Sequence, residues 1–155
     1  MKLLNQPFRQ YFREARLGIA LLFLVALMRF LFQPLFQIPQ DQGTHWVSLT
    51  IMLPIIMLCY SVRVALKGGT FRDLLALAAW FALSGMLFVM LGIAIDDFAG
   101  VDTYYTVPEE SNTWGHMLAH VVEGVILTLL LWGIGSVVYL VAGGRKRAAS
   151  IGSTL

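Results

Sequence analysis

The sequence predicts an all-α integral membrane protein, with four transmembrane helices in a bundle and an N-terminal amphipathic interfacial helix. Of the 155 residues, 58% are apolar and 13% are charged, and the mean hydropathy is +0.75. A soluble domain has about 45–50% apolar and about 25% charged residues. Four apolar stretches are each long enough to cross a bilayer, which takes about 20 residues. This composition excludes a soluble globular protein and a disordered chain.

The first predicted element, residues 1–16, is an amphipathic helix on the inner face of the membrane. Its basic residues include Arg9, Arg13 and Arg16, and its apolar residues recur with helical spacing. These apolar residues are Leu4, Phe8, Tyr11, Phe12 and Ala15. The alternative is a solvated basic arm that carries a few aromatic side chains.

The transmembrane domain, residues 17–142, contains the four predicted spans. Each span is expected to be a helix, because backbone polar groups in lipid must be satisfied within their own segment. The spans are placed at about residues 17–36, 46–66, 74–95 and 119–142. Small residues such as Ala82, Gly85 and Gly124 predict close packing of the third and fourth spans. The alternative is that these small residues face another subunit.

The basic residues predict the orientation of the chain. Ten of the eleven Lys and Arg residues lie before the first span, around the second connection, or in the basic tail of residues 143–155. The first and third connections contain no basic residue and carry several acidic ones. The positive-inside rule therefore predicts that both termini are cytoplasmic, most simply at a bacterial inner membrane. This topology accounts for the basic residues, so no nucleic-acid partner is expected.

Two ionisable residues stand out within the predicted spans, Arg29 in the first and Glu123 in the fourth, whereas Arg63 lies one turn from Lys67 and can extend to the inner interface. Such residues are costly in lipid and are candidate functional positions. Helical rise places both in the outer half of the membrane, which permits an intramembrane ion pair between them. The alternatives are that the pair only fixes helix register, or that Arg29 extends to the outer interface beside Gln33.

His116, His120 and Glu123 are predicted to share one helical face, because they are separated by four and three residues. Two imidazoles and a carboxylate form a partial site for a transition metal such as zinc, iron or copper. His45, or the acidic residues that end the third span, would complete the site at the outer face. A haem would need His45 opposite one of the other histidines. The alternatives are a structural cap of the bundle and a proton relay.

The remaining patterns favour a protein without enzymatic activity. The single cysteine, Cys59, excludes chemistry through paired thiols within the chain. Met117 stands where a zincin motif has glutamate, and no serine–histidine–acid arrangement is recognisable. We therefore expect a non-enzymatic subunit or accessory partner of a membrane complex, in contact with the lipid bilayer and with other membrane subunits or further copies of itself. A metal- or haem-binding protein is the alternative, and a proton- or ion-handling transport component is the third hypothesis.

Overall fold

The computed structural model describes residues 7–39, 48–101, 103–105 and 113–143, and these residues contain four helices. The helices are α1 (Phe8–Phe36), α2 (Leu49–Leu66), α3 (Phe71–Ala99) and α4 (Thr113–Val141). Each of them is long and apolar enough to cross a membrane. The predicted all-helical class with four candidate spans is therefore confirmed.

Three of the helices extend beyond the predicted spans. Helices α1, α3 and α4 have 29 residues each, or about 43 Å at a rise of 1.5 Å per residue. A hydrocarbon core is only about 30 Å thick. Local sequence determines both ends of helix α3. The helix begins at a capping box of Thr70 and Asp73 and ends before Gly100, whose φ is +62°.

Helix α1 includes part of the segment that was expected to form a separate interfacial helix. The helix continues past residue 16 without interruption, and Tyr11 and Ala15 are buried in the core. The Tyr11 hydroxyl donates a hydrogen bond to the Asp73 carboxylate on α3. The interfacial helix is therefore not confirmed, because apolar residues expected to lie on the leaflet pack into the bundle. Residues 1–6 and the basic tail from residue 144 onwards lie outside the described residues.

Helix α3 is the central helix of the bundle. It contacts α1, α2 and α4, and its contact with α4 is the most extensive. The predicted packing of the third and fourth spans is thus confirmed, and Gly124 of α4 lies directly against Met86 of α3. Gly85, which was expected to face the fourth span, instead lies against Leu53 of α2. Helix α2 also packs against α4, whereas α1 and α4 do not contact each other within the described residues.

Hydrogen bonds from α4 fix it against the connection between α2 and α3. The Tyr139 hydroxyl donates to the Gly69 carbonyl oxygen at 2.6 Å. The indole Nε1 of Trp132 donates to the Phe71 carbonyl oxygen at 3.0 Å. These contacts hold the rotation of α4 about its own axis, and so determine which of its side chains face outward.

Candidate functional site

His116, His120 and Glu123, here called the α4 polar cluster, form a chain of close polar contacts. His120 Nδ1 lies 2.7 Å from Glu123 Oε2, and His120 Nε2 lies 3.0 Å from His116 Nε2. The structure thus brings together three of the four residues that were considered as metal ligands. The fourth, His45, lies outside the described residues.

The chemistry of the groups determines the direction of these hydrogen bonds. An ionised carboxylate only accepts, so the Nδ1–H of His120 donates to Glu123. Between His120 and His116, one Nε2 carries a hydrogen and donates while the other accepts, according to the tautomers of the two rings. The cluster therefore orients the Glu123 carboxylate through an imidazole on the preceding helical turn.

The α4 polar cluster offers few ligands for a metal ion. Within the ranges that the structure describes, no group of three or more His, Cys, Asp or Glu residues is arranged to hold one. The Glu123 carboxylate contacts Nδ1 of His120, on the side of the ring that faces away from the two Nε2 atoms. It thus resembles the carboxylates that orient a metal-bound histidine, which leaves two imidazole nitrogens as ligands. Zinc sites use three or four protein ligands.

Glu123 lies on an exposed and otherwise apolar surface of α4. Its side chain is 50% exposed, whereas that of His120 is 20% exposed. Glu123 is the eleventh of the 29 residues of α4, so it lies about 15 Å along the helix from Thr113, and its neighbour Gly124 packs against Met86 of α3. A shallow depression, here called the Glu123 surface, surrounds it. This surface consists of Gly115, Leu118, Ala119, Val122, Glu123 and Ile126.

Arg29 contacts the segment of residues 103–105 and does not approach Glu123. Its Nη2 lies 3.4 Å from the Tyr104 carbonyl oxygen, and its Cζ lies 5.4 Å from the centre of the Tyr105 ring. Its Nε is buried and has no hydrogen-bond partner among the described residues. The structure does not bring the proposed ion pair together, because Arg29 and Glu123 are on helices that do not touch within the described ranges.

Tyr105 inserts between α1 and α3. Its hydroxyl donates to the Ala26 carbonyl oxygen at 3.1 Å, and its ring covers Gly92 so closely that a Cβ atom there would lie 2.5 Å from a ring carbon. Tyr105 is in the connection outside the four helices, where burial raises its pKa to about 12 although the charge of Arg29 lowers it. The hydroxyl therefore remains a hydrogen-bond donor at neutral pH.

Sequence reasoning did not predict the contact of Arg29 with Tyr104 and Tyr105. The available signal was Gly92, a residue without a side chain seven positions before the end of α3, which leaves room for a ring. That signal does not identify which aromatic residue fills the space.

Comparison with known proteins finds no matching family model, no matching curated protein and no matching solved structure. The functional argument therefore depends on the residues of this chain. Its main features are four long apolar helices, the α4 polar cluster with its exposed carboxylate, and the contact between Arg29 and the two tyrosines.

Proposed function

We propose that this chain is an integral membrane protein that serves as a non-enzymatic subunit or accessory partner of a membrane complex. Four apolar helices of sufficient length support insertion into a bilayer. Arg63, Lys67 and Arg72 surround the connection between α2 and α3 and support a cytoplasmic position for it. With four spans, both termini are then cytoplasmic as well, most simply at a bacterial inner membrane.

The observation that carries the proposal is the half-exposed carboxylate of Glu123 on an apolar surface of α4, about 15 Å along the helix from Thr113. An acidic residue inside the hydrocarbon is costly, and the cost on insertion scales reaches about 2.5–3.5 kcal/mol for Asp at the centre of a transmembrane helix. Contact of this surface with lipid would therefore be unfavourable. A neighbouring protein that covers the surface removes the carboxylate from the hydrocarbon, and we infer that α4 forms such a contact.

Metal binding is the second candidate function, and one observation favours it. The Nε2 atoms of His116 and His120 lie 3.0 Å apart, so both nitrogens reach one small volume. Two nitrogens still leave any ion short of protein ligands. A proton path has less support, because the Thr128 hydroxyl beyond Glu123 donates to the Gly124 carbonyl oxygen at 2.8 Å and so does not extend the chain of hydrogen bonds.

Position-specific photocrosslinking in native membranes tests the proposed contact. A photoreactive amino acid replaces Val122 on the Glu123 surface, and the matched control replaces Leu24 on α1; these side chains are 55% and 52% exposed. We expect a discrete protein adduct from position 122 and only lipid adducts from position 24. Lipid adducts alone at both positions would contradict the proposed function.

A further inference from the structure

We propose that the Glu123 surface binds a transmembrane helix of a different protein, and that this helix carries a Lys or Arg at the depth of Glu123. The inference rests on the proposed function and specifies the chemistry of the partner. Three properties support it: a half-exposed carboxyl group with accepting capacity left over, small residues that allow close approach, and the symmetry that a contact with a second copy would have.

The first property is the hydrogen-bonding capacity of Glu123. Its described partner is His120, whose Nδ1 lies 2.7 Å from Oε2 and provides one hydrogen bond. A carboxylate has about four lone-pair positions, so most of its accepting capacity remains for another donor. No Lys or Arg among the described residues lies within 4.0 Å of it. Arg29 is held by Tyr104 and Tyr105 on a different side of the bundle.

The second property is the shape of the Glu123 surface. Gly115 and Ala119 precede Glu123 at intervals of four residues, so the three lie along one line of the helix. Small residues at this spacing let two membrane helices approach closely. Leu118 and Ile126 are exposed beside this line and offer apolar contacts to the flanks of an incoming helix. The approach brings a cationic side chain on that helix within reach of the carboxylate.

The third property concerns symmetry. A second copy that docked through the same surface would form an isologous contact, in which each residue near the axis meets its own equivalent. Such a contact would bring two Glu123 carboxylates together. Like charges in a region of low dielectric repel strongly. A basic side chain of a different polypeptide provides the complementary charge instead.

The test uses synthetic transmembrane peptides as defined probes. The full chain is reconstituted in phosphatidylcholine vesicles, and energy transfer reports binding of a labelled Leu/Ala helix with one central Lys, compared with the same helix carrying Leu at that position. We expect the Lys peptide to bind about tenfold more tightly, which is the scale of interhelical polar contacts in lipid. Glu123→Gln should remove the preference. Asp97→Asn, which neutralises an exposed carboxylate at the end of α3, should retain it.

Three results would overturn the inference. Equal binding of the Lys and Leu peptides, or a Lys preference that persists in Glu123→Gln, shows that the carboxylate does not select a cation. The third result is energy transfer between labelled copies of the chain. If Glu123→Gln abolishes that transfer, the surface binds a second copy. Circular dichroism and thermal unfolding of each variant establish that it is folded. A discrete adduct from position 122 in native membranes, combined with equal peptide binding, would leave the proposed function standing and refute only the partner's charge.

Discussion

Glu123 is oriented by a hydrogen bond from His120 and remains half exposed, whereas Arg29 is enclosed by the carbonyl oxygen of Tyr104 and the ring of Tyr105. Both residues are ionisable and both lie in apolar helices. Their surroundings separate their roles: Arg29 supports the packing of a connection against α1, and Glu123 faces outward, where a partner can reach it.

The α4 polar cluster is expected to contain no stoichiometric metal, since only two imidazole nitrogens converge in it. Elemental analysis and an optical spectrum of the detergent-purified protein, beside the double variant His116→Ala/His120→Ala, measure this. We expect well under one metal ion per chain and no Soret band. A stoichiometric metal or a haem spectrum that disappears in the double variant would favour the second candidate function.

Gly92→Ala is expected to destabilise the protein by about 1–3 kcal/mol, because the new methyl group would overlap the buried ring of Tyr105. Thermal unfolding in detergent measures the change. In a Tyr105→Ala background the ring is absent, so the same substitution should cost much less, and the double-mutant cycle isolates the contact. An equal cost in both backgrounds would show that Tyr105 does not pack on Gly92.

At the scale of helices, the sequence predicts where an apolar helix forms better than it predicts which helices pack against each other. An apolar stretch of about 20 residues leaves a chain few options besides a helix, so the four helices are found where predicted. Their ends differ, because capping residues such as Thr70 and Gly100 lie beyond the hydrophobic stretch. Which helices touch depends on side-chain packing between distant segments. Spacing along α1 and α4 predicts the heights of Arg29 and Glu123. It does not predict that α3 contacts both helices, or that α1 and α4 do not contact each other within the described residues.

The contact between α2 and α4 is expected to depend on Gly135. A Cβ atom there would lie 2.5 Å from Met57 Cε and 2.7 Å from Ser61 Oγ, whereas a Cβ atom at Gly133 would meet nothing within 4 Å. Gly135→Ala should therefore destabilise the bundle by about 1–3 kcal/mol. Gly133→Ala, two residues away on the same helix, should be neutral or slightly stabilising, since Ala favours helix more than Gly does. Equal unfolding temperatures for the two variants would contradict this contact.

At the scale of the whole molecule, charge and exposed surface are the informative properties. The distribution of Lys and Arg predicts one orientation in the membrane. The exposed apolar faces of α1 and α4 do not by themselves distinguish lipid from protein neighbours. Glu123 supplies that distinction for α4, because its carboxylate makes lipid an unfavourable neighbour. The α4 polar cluster and the depth of Glu123 were predicted from spacing, while the exposure of its side chain required the structure.

Cysteine labelling on intact cells tests the orientation. Two single-cysteine variants, Asp97→Cys and Lys67→Cys, are made in a Cys59→Ala background. Position 97 is near the end of α3 and position 67 directly follows α2, so the two positions lie at opposite ends of α3. A membrane-impermeant maleimide should label position 97 in intact cells and position 67 only after permeabilisation. The reverse pattern would show that the chain is inserted in the opposite orientation, and labelling of both positions in intact cells would contradict the four-span topology.

The most direct test of the proposed function is native mass spectrometry of the chain after mild detergent extraction from the membranes in which it is made. We expect an assembly that contains this 17.3 kDa chain and at least one different polypeptide. Replacing Val122 by Trp, which obstructs the Glu123 surface, should release the chain from that assembly. A wild-type chain that is found alone, or only as multiples of its own mass, would contradict the account.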